Sequence, residues 1–162
     1  MKIKYFTSVY ILLFIAFSGL SCSNANLFEK YFKPPENPIE KGAIQDSSPL
    51  EIGINAYFLG DYAGCKKALK PLVESTKSLN LEAYYFYAHV LLSTGDFEKA
   101  IKYFETAQER LIPHISQPAQ WYEALTFIKK GEPDNAKKIL KDIIAKSNHK
   151  YHAKAQELLD EL

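Results

Sequence analysis

Three glycines, Gly60, Gly95 and Gly131, fall 35 and 36 residues apart, and the residues around them recur at fixed offsets. Five places after each glycine stands a small residue, Cys65, Ala100 and Ala136. Nine places after comes a large apolar one, Leu69, Phe104 and Leu140, and twelve after come Leu72, Ala107 and Ile143. Seven places before each glycine the series reads Gly53, Ala88 and Ala124. This spacing describes a helix, a tight glycine turn and a second helix, with small residues where two antiparallel helices touch and large ones filling the gap to the next pair. A unit of that size cannot bury its apolar face alone, so the copies must stack, and the chain from residue 49 onward is constrained to an all-α array.

These residues resemble the tetratricopeptide repeat. In the middle copy, residues 84–113, Tyr84, Tyr87, Ala88, Ala100, Phe104 and Ala107 stand where that pattern requires them. The outer copies depart from it: Pro49 replaces the first aromatic, Glu123 takes a Leu place, Trp121 comes one residue late, and Pro133 enters a turn. Terminal copies of an array are expected to be atypical, because one side of each faces no neighbour. The resemblance spans residues 49–147 and implies an all-α solenoid of helical hairpins, three repeats long. Beyond it, Tyr151, Ala155, Leu158, Leu159 and Leu162 form one apolar stripe opposite Lys150, Lys154, Glu157 and Asp160, which predicts a capping helix within residues 149–162. Seven helices in sequence order are expected, with the stretch from Pro113 to Pro118 as a loop before the third copy.

The amino-terminal residues have a different character. Lys2 and Lys4 precede an uncharged run from Ser8 to Phe17, which relaxes into Gly19, Leu20, Ser21 and Cys22, the layout of a secretory signal. The strongly apolar part is much shorter than the roughly 20 residues of a retained membrane helix. The ending resembles the lipobox of bacterial envelope lipoproteins: Ser21 meets its small-residue requirement, although Gly19 stands where Leu is usual and Leu20 sits one place later. The resemblance implies cleavage before Cys22, acylation of Cys22 and a lipid anchor. An ordinary signal peptide that ends near a cysteine is the competing reading. Residues 1–21 are then a signal peptide, 22–48 a tether and 49–162 the repeat domain. With no acidic run after Cys22, the expected location is the cell envelope, anchored to a membrane facing the periplasm, the outer membrane for preference. Pro34, Pro35, Pro38 and Gly42 suit a tether. Leu27, Phe28, Tyr31 and Phe32 nonetheless fall at helical spacing, and they either dock on something or rest among lipid headgroups.

Charge and chemistry narrow the function classes. Twenty basic against nineteen acidic side chains give a net charge of +1, so nucleic acid is disfavoured as a partner. Cys65 falls at a helix contact, where a thiol is inert. His149 and His152 lack a third ligand, and Asp61 and Asp96 follow turn glycines, where carboxylates cap helices. No catalytic residue, metal site or cofactor is expected, and the chain reads as a non-enzyme. Tetratricopeptide arrays usually serve as scaffolds, which implies a protein or peptide partner; an accessory protein binding a small ligand or glycan in nutrient uptake is the alternative. Carried over by offset from the three glycines, the groove-facing stripe of the first helices is Leu50, Ile54, Tyr57 and Phe58, then Tyr85, His89 and Leu92, then Trp121, Leu125 and Ile128. That stripe is expected to be an open partner groove, to be covered by residues 27–32 folding back, or to be plain core.

Overall fold

The computed structural model describes residues 26–39 and 47–162; Cys22, Gly42 and the expected signal segment lie outside the described residues. A helical turn at 26–31, α1, is followed by α2 (Pro49–Phe58), α3 (Tyr62–Val73), α4 (Leu81–Ser93), α5 (Phe97–Ala107), α6 (Pro113–Lys130), α7 (Pro133–Ile144) and α8 (His152–Glu161). Local chemistry starts these helices. The Ser48 hydroxyl accepts from the Glu51 N–H at 3.3 Å with Pro49 opening the helix, and the Asn80 side-chain carbonyl accepts from the Ala83 N–H at 2.9 Å.

The turn glycines are required by backbone conformation rather than by crowding. Gly60, Gly95 and Gly131 have φ of 76°, 81° and 88°, and a Cβ at any of them would meet nothing within 4 Å. Each left-handed residue lets the next N–H reach back five residues: Asp61 to Ala56 O, Asp96 to Leu91 O and Glu132 to Phe127 O, at 2.8, 2.9 and 2.8 Å. Gly53 has the other reason for being small. A Cβ there would run into the Leu69 side chain, as the predicted close approach of α2 and α3 demands.

From α2 onward each helix packs on its sequence neighbour, and α4 also touches both α2 and α6 in an inner layer, with α3, α5 and α7 outside. Ala88, Ala100, Ala124 and Ala136 are fully buried at the contacts, with Leu69, Phe104, Leu140 and Ile143 between pairs. In the first copy Val73, not Leu72, supplies the last buried residue.

One expectation needs correction, and of two readings left open one is found. The stretch from Pro113 to Pro118 is not a loop: it forms the first turns of α6, with Pro113 at the helix start and Pro118 inside it. A proline at the first turn costs no hydrogen bond; Pro118 forfeits one, and the burial of Ile115, Ala119, Trp121 and Tyr122 along the same helix outweighs that loss. The segment 26–39, within the expected tether, is packed on the domain. Leu27, Phe28, Tyr31 and Pro35 are buried against the inner layer, and α1 runs along α6 and α8 as a strap.

Candidate functional site

The inner layer brings the predicted stripe together, but inside the protein. Ile54, His89, Leu125 and Ile128 are wholly buried, Tyr57, Tyr85, Leu92 and Trp121 nearly so, and only Leu50 and Phe58 are half-exposed. An open groove along these residues is therefore absent. α4 packs against both α2 and α6, and the strap covers Trp121 and Tyr122 at the carboxy-terminal end.

The strap is held mainly by rings. Tyr31 meets Trp121 edge-on at 6.2 Å and Phe32 meets Tyr122 at 5.9 Å, while Phe28 stacks on Phe32 at 4.9 Å under the Lys129 ammonium. The Tyr122 hydroxyl donates to the Lys33 carbonyl, pinning the backbone where the helical turn ends. In the last turn of α1, Lys30 and the Tyr31 hydroxyl both reach Glu161, at 2.6 and 2.5 Å. Lys30 and Tyr31 hold the Glu161 carboxyl below its usual range, whereas burial first, and Glu161 second, push the Tyr31 hydroxyl up to about 12. Glu29 pairs with Lys129 at 2.7 Å. These ion pairs are exposed and contribute little, so the aromatic contacts carry the docking and the charges set its register.

Beside the strap lies a cleft of about 490 Å³, walled on one side by Pro34, Pro35 and Pro38 and on the other by Tyr85, Tyr122 and Tyr151. Lys33, Lys150 and Lys154 supply cations along it, and Glu36 and Glu82 supply acids. Trp121 also borders the cleft, but it is only 2% exposed, because Tyr151 lies flat on it at 5.1 Å and 6°. Tyr151 is thus the ring a ligand would meet, with the Lys150 and Lys154 ammoniums 5.7 and 5.9 Å from its centre. Of the predicted stripe, only Tyr85 and Trp121 line this cleft. Sequence reasoning missed Tyr122 and the proline wall; Tyr151 was legible only as part of the capping stripe.

Two buried titratable groups sit behind the site. His89 is enclosed by Tyr57, Tyr85, Phe86, Phe104 and Tyr122, with the Tyr122 ring nearest at 4.3 Å, and neither of its nitrogens has a hydrogen-bond partner among the described residues. Burial pushes its imidazole down to about 3, so it is neutral. Glu123, the departure from the repeat pattern, is buried between α5 and α6, where Gln108 bridges Phe104 O and the Glu123 carboxylate at 3.0 and 2.8 Å. Burial pushes its carboxyl up to about 7, against the lowering effect of that bond. Burial also raises the Cys65 thiol to about 12, which suppresses its nucleophilic form.

The remaining candidates stay apart. The Asp61 carboxylate caps α3 through the Gly64 N–H at 2.8 Å, and Asp96 pairs with Lys99 at 2.7 Å. His149 accepts from the Tyr151 N–H at 3.1 Å, and burial lowers its imidazole. Among the described residues no group of three or more His, Cys, Asp or Glu could hold a metal, and no helix is long and apolar enough to cross a membrane.

Comparison with known families agrees with this geometry. Residues 81–110, covering α4, its glycine turn and α5, match the tetratricopeptide repeat family model. No curated protein and no solved structure matches the chain.

Proposed function

We propose that this chain, whose residues 81–110 match the tetratricopeptide repeat family model, works as a non-enzymatic scaffold for a protein or peptide partner, anchored in the bacterial cell envelope through a lipid on Cys22. The observation that carries the scaffold reading is the inner face itself, which already receives a segment of polypeptide: the chain's own strap, a helical turn running into irregular backbone, seated by rings and pinned through its backbone at Lys33. A surface that orders one such segment has the chemistry to order another, and the cleft beside Tyr151 is the part left open. The partner is accordingly a protein segment that offers an apolar side chain to Tyr151 and a carboxylate to Lys150 and Lys154. The size of the cleft favours a second reading, a small ligand, since about 490 Å³ falls within the roughly 300–1,000 Å³ of such sites. A glycan suits it less, because Trp121 is already stacked and unavailable as a platform.

A photo-crosslinking residue placed at Lys154 in cells should trap a discrete protein adduct, while the same residue at Lys102 on an outer helix should not. Identical adducts at both positions, or none at Lys154, would sink the cleft as the partner site. The anchor is tested separately by metabolic labelling with a fatty-acid analogue. Label should enter the wild type and be lost in Cys22→Ala; equal labelling of both removes the lipoprotein reading. A periplasm-facing outer-membrane location predicts that the labelled protein fractionates with outer-membrane markers.

A further inference from the structure

The docked strap shortens the tether. Were residues 22–48 free, Cys22 could stand as far as about 95 Å from the start of α2 at full extension. With residues 26–39 packed on the domain, only 23–25 separate Cys22 from Asn26. Four backbone steps reach at most about 15 Å, whatever path they take.

The strap also enters at a defined end of the array. Phe28 and Glu29 contact Lys129, at the last turn of α6, and Lys30 contacts Glu161, at the last turn of α8. Lys130 next door reaches Glu98 beside the Gly95 turn at 3.1 Å, and Lys66 beside the Gly60 turn reaches Thr94 at 3.0 Å. The three glycine turns and the end of α8 therefore share one end with the strap's entry. The strap then runs toward the opposite end, where Glu36 lies 3.9 Å from Lys150 just before α8 begins. The cleft is at that opposite end too, since Glu82, Pro118 and Tyr151 stand at or near the starts of α4, α6 and α8.

We propose that the strap fixes the orientation of the repeat domain on a phospholipid bilayer, with the three glycine turns toward the lipid and the cleft beside Tyr151 facing away from it. This rests on the anchor at Cys22 proposed above. Pro118 in the cleft wall stands 12 residues before Lys130 along α6, which puts the cleft about 18 Å farther from the lipid than the turns, where a partner can approach it. Charge does not set the orientation: Lys129, Lys130 and Lys99 at the turn end are each matched by Glu29, by Glu98 and Glu132, and by Asp96. The short tether does so by geometry, so zwitterionic lipid suffices.

The test couples the chain from Cys22 onward to a maleimide lipid in phosphatidylcholine vesicles carrying a headgroup dansyl dye. Cys65→Ala leaves one thiol and installs the residue found at the matching places of the other copies, Ala100 and Ala136. Tryptophan is placed at either end of α7, as Asp134→Trp or Ser147→Trp, and the constant contribution of Trp121 is subtracted. Energy transfer to the dye should be at least twofold stronger from Asp134→Trp. Adding Phe28→Glu and Tyr31→Glu should abolish the contrast by freeing the strap, with Phe28→Ala as the milder variant if the double one unfolds. Equal or reversed transfer, or a contrast that survives loss of the strap, overturns the proposal. Because coupling here is chemical, a failure of fatty-acid labelling in cells would remove the natural anchor without deciding this result.

Discussion

His89 and Glu123 oppose one another on the pH axis, and the opposition can be resolved by substitution. The imidazole of His89 has an ordinary value of 6.5 and is held at about 3 in the fold, so between these values the unfolded chain binds more protons and stability falls as pH falls. From pH 7 to pH 5 that loss is about 2 kcal/mol. Glu123 behaves in the opposite sense. Its carboxyl rises from 4.5 to about 7 on folding, the folded chain binds more protons, and acidification over the same interval gains about 2 kcal/mol. These two contributions nearly cancel, so the wild-type protein should show from pH 7 to pH 5 only the fall in stability that His149 adds, its imidazole also being lowered by burial. His89→Leu keeps an apolar body within the ring cage and removes two unpartnered nitrogens, so at pH 7 it should be neutral or stabilising. Relative to the wild type it should then gain about 2 kcal/mol on going to pH 5, whereas Glu123→Gln should lose about that much and the double variant should return to the wild-type slope. Asp96, Glu132 and Glu161 are held below their usual values by Lys99, Lys130 and Lys30, so their stabilisation is lost only in more acidic solution and does not enter this interval. Urea unfolding at pH 7, 6 and 5, followed by the fluorescence of the one tryptophan, gives the slopes directly. If both single variants keep the wild-type slope, burial does not control these two groups and the reasoning is wrong.

Three further outcomes are expected. Leu111 adopts φ of 51° between α5 and α6 while 77% exposed, so Leu111→Gly should relieve about 1 kcal/mol of left-handed strain and raise the melting temperature by a few degrees; a lower temperature would show that its side chain contributes packing. Ala100→Phe should overpack the α4–α5 contact and cost about 1–3 kcal/mol, whereas Lys102→Ala on the exposed face should cost less than about 0.5, and the reverse order in thermal melts would mean the helix register is misassigned. A chain starting at Ser47 should bind a hydrophobic dye more strongly than one starting at Ser23 and show red-shifted Trp121 emission, because the strap covers Trp121 and Tyr122; equal dye binding and emission would mean that it does not.

The period of the glycines determined the architecture because the information is local. A left-handed residue at each turn, a small residue where backbones approach and a large one between pairs are demands of individual positions, and Gly60, Ala100 and Phe104 could be read one at a time. The cap at Asp61 was legible for the same reason. Composition misled at Pro113 and Pro118, where proline signals a loop but the buried face of α6 outweighs one lost backbone bond. Whether the stripe from Ile54 to Ile128 would line an open groove was decided only in three dimensions. It depends on how closely α2, α4 and α6 approach, and on whether Phe28, Tyr31 and Phe32 lie nearer to Trp121 and Tyr122 or to lipid, a competition among surfaces distant in sequence. The cleft belongs to the same class: its proline wall and Tyr151 are more than a hundred residues apart, and no periodicity connects them. Glu123 shows both levels at once. As a break in the repeat pattern it was visible in the sequence, but its raised carboxyl follows from the tertiary contact that buries it beside Gln108.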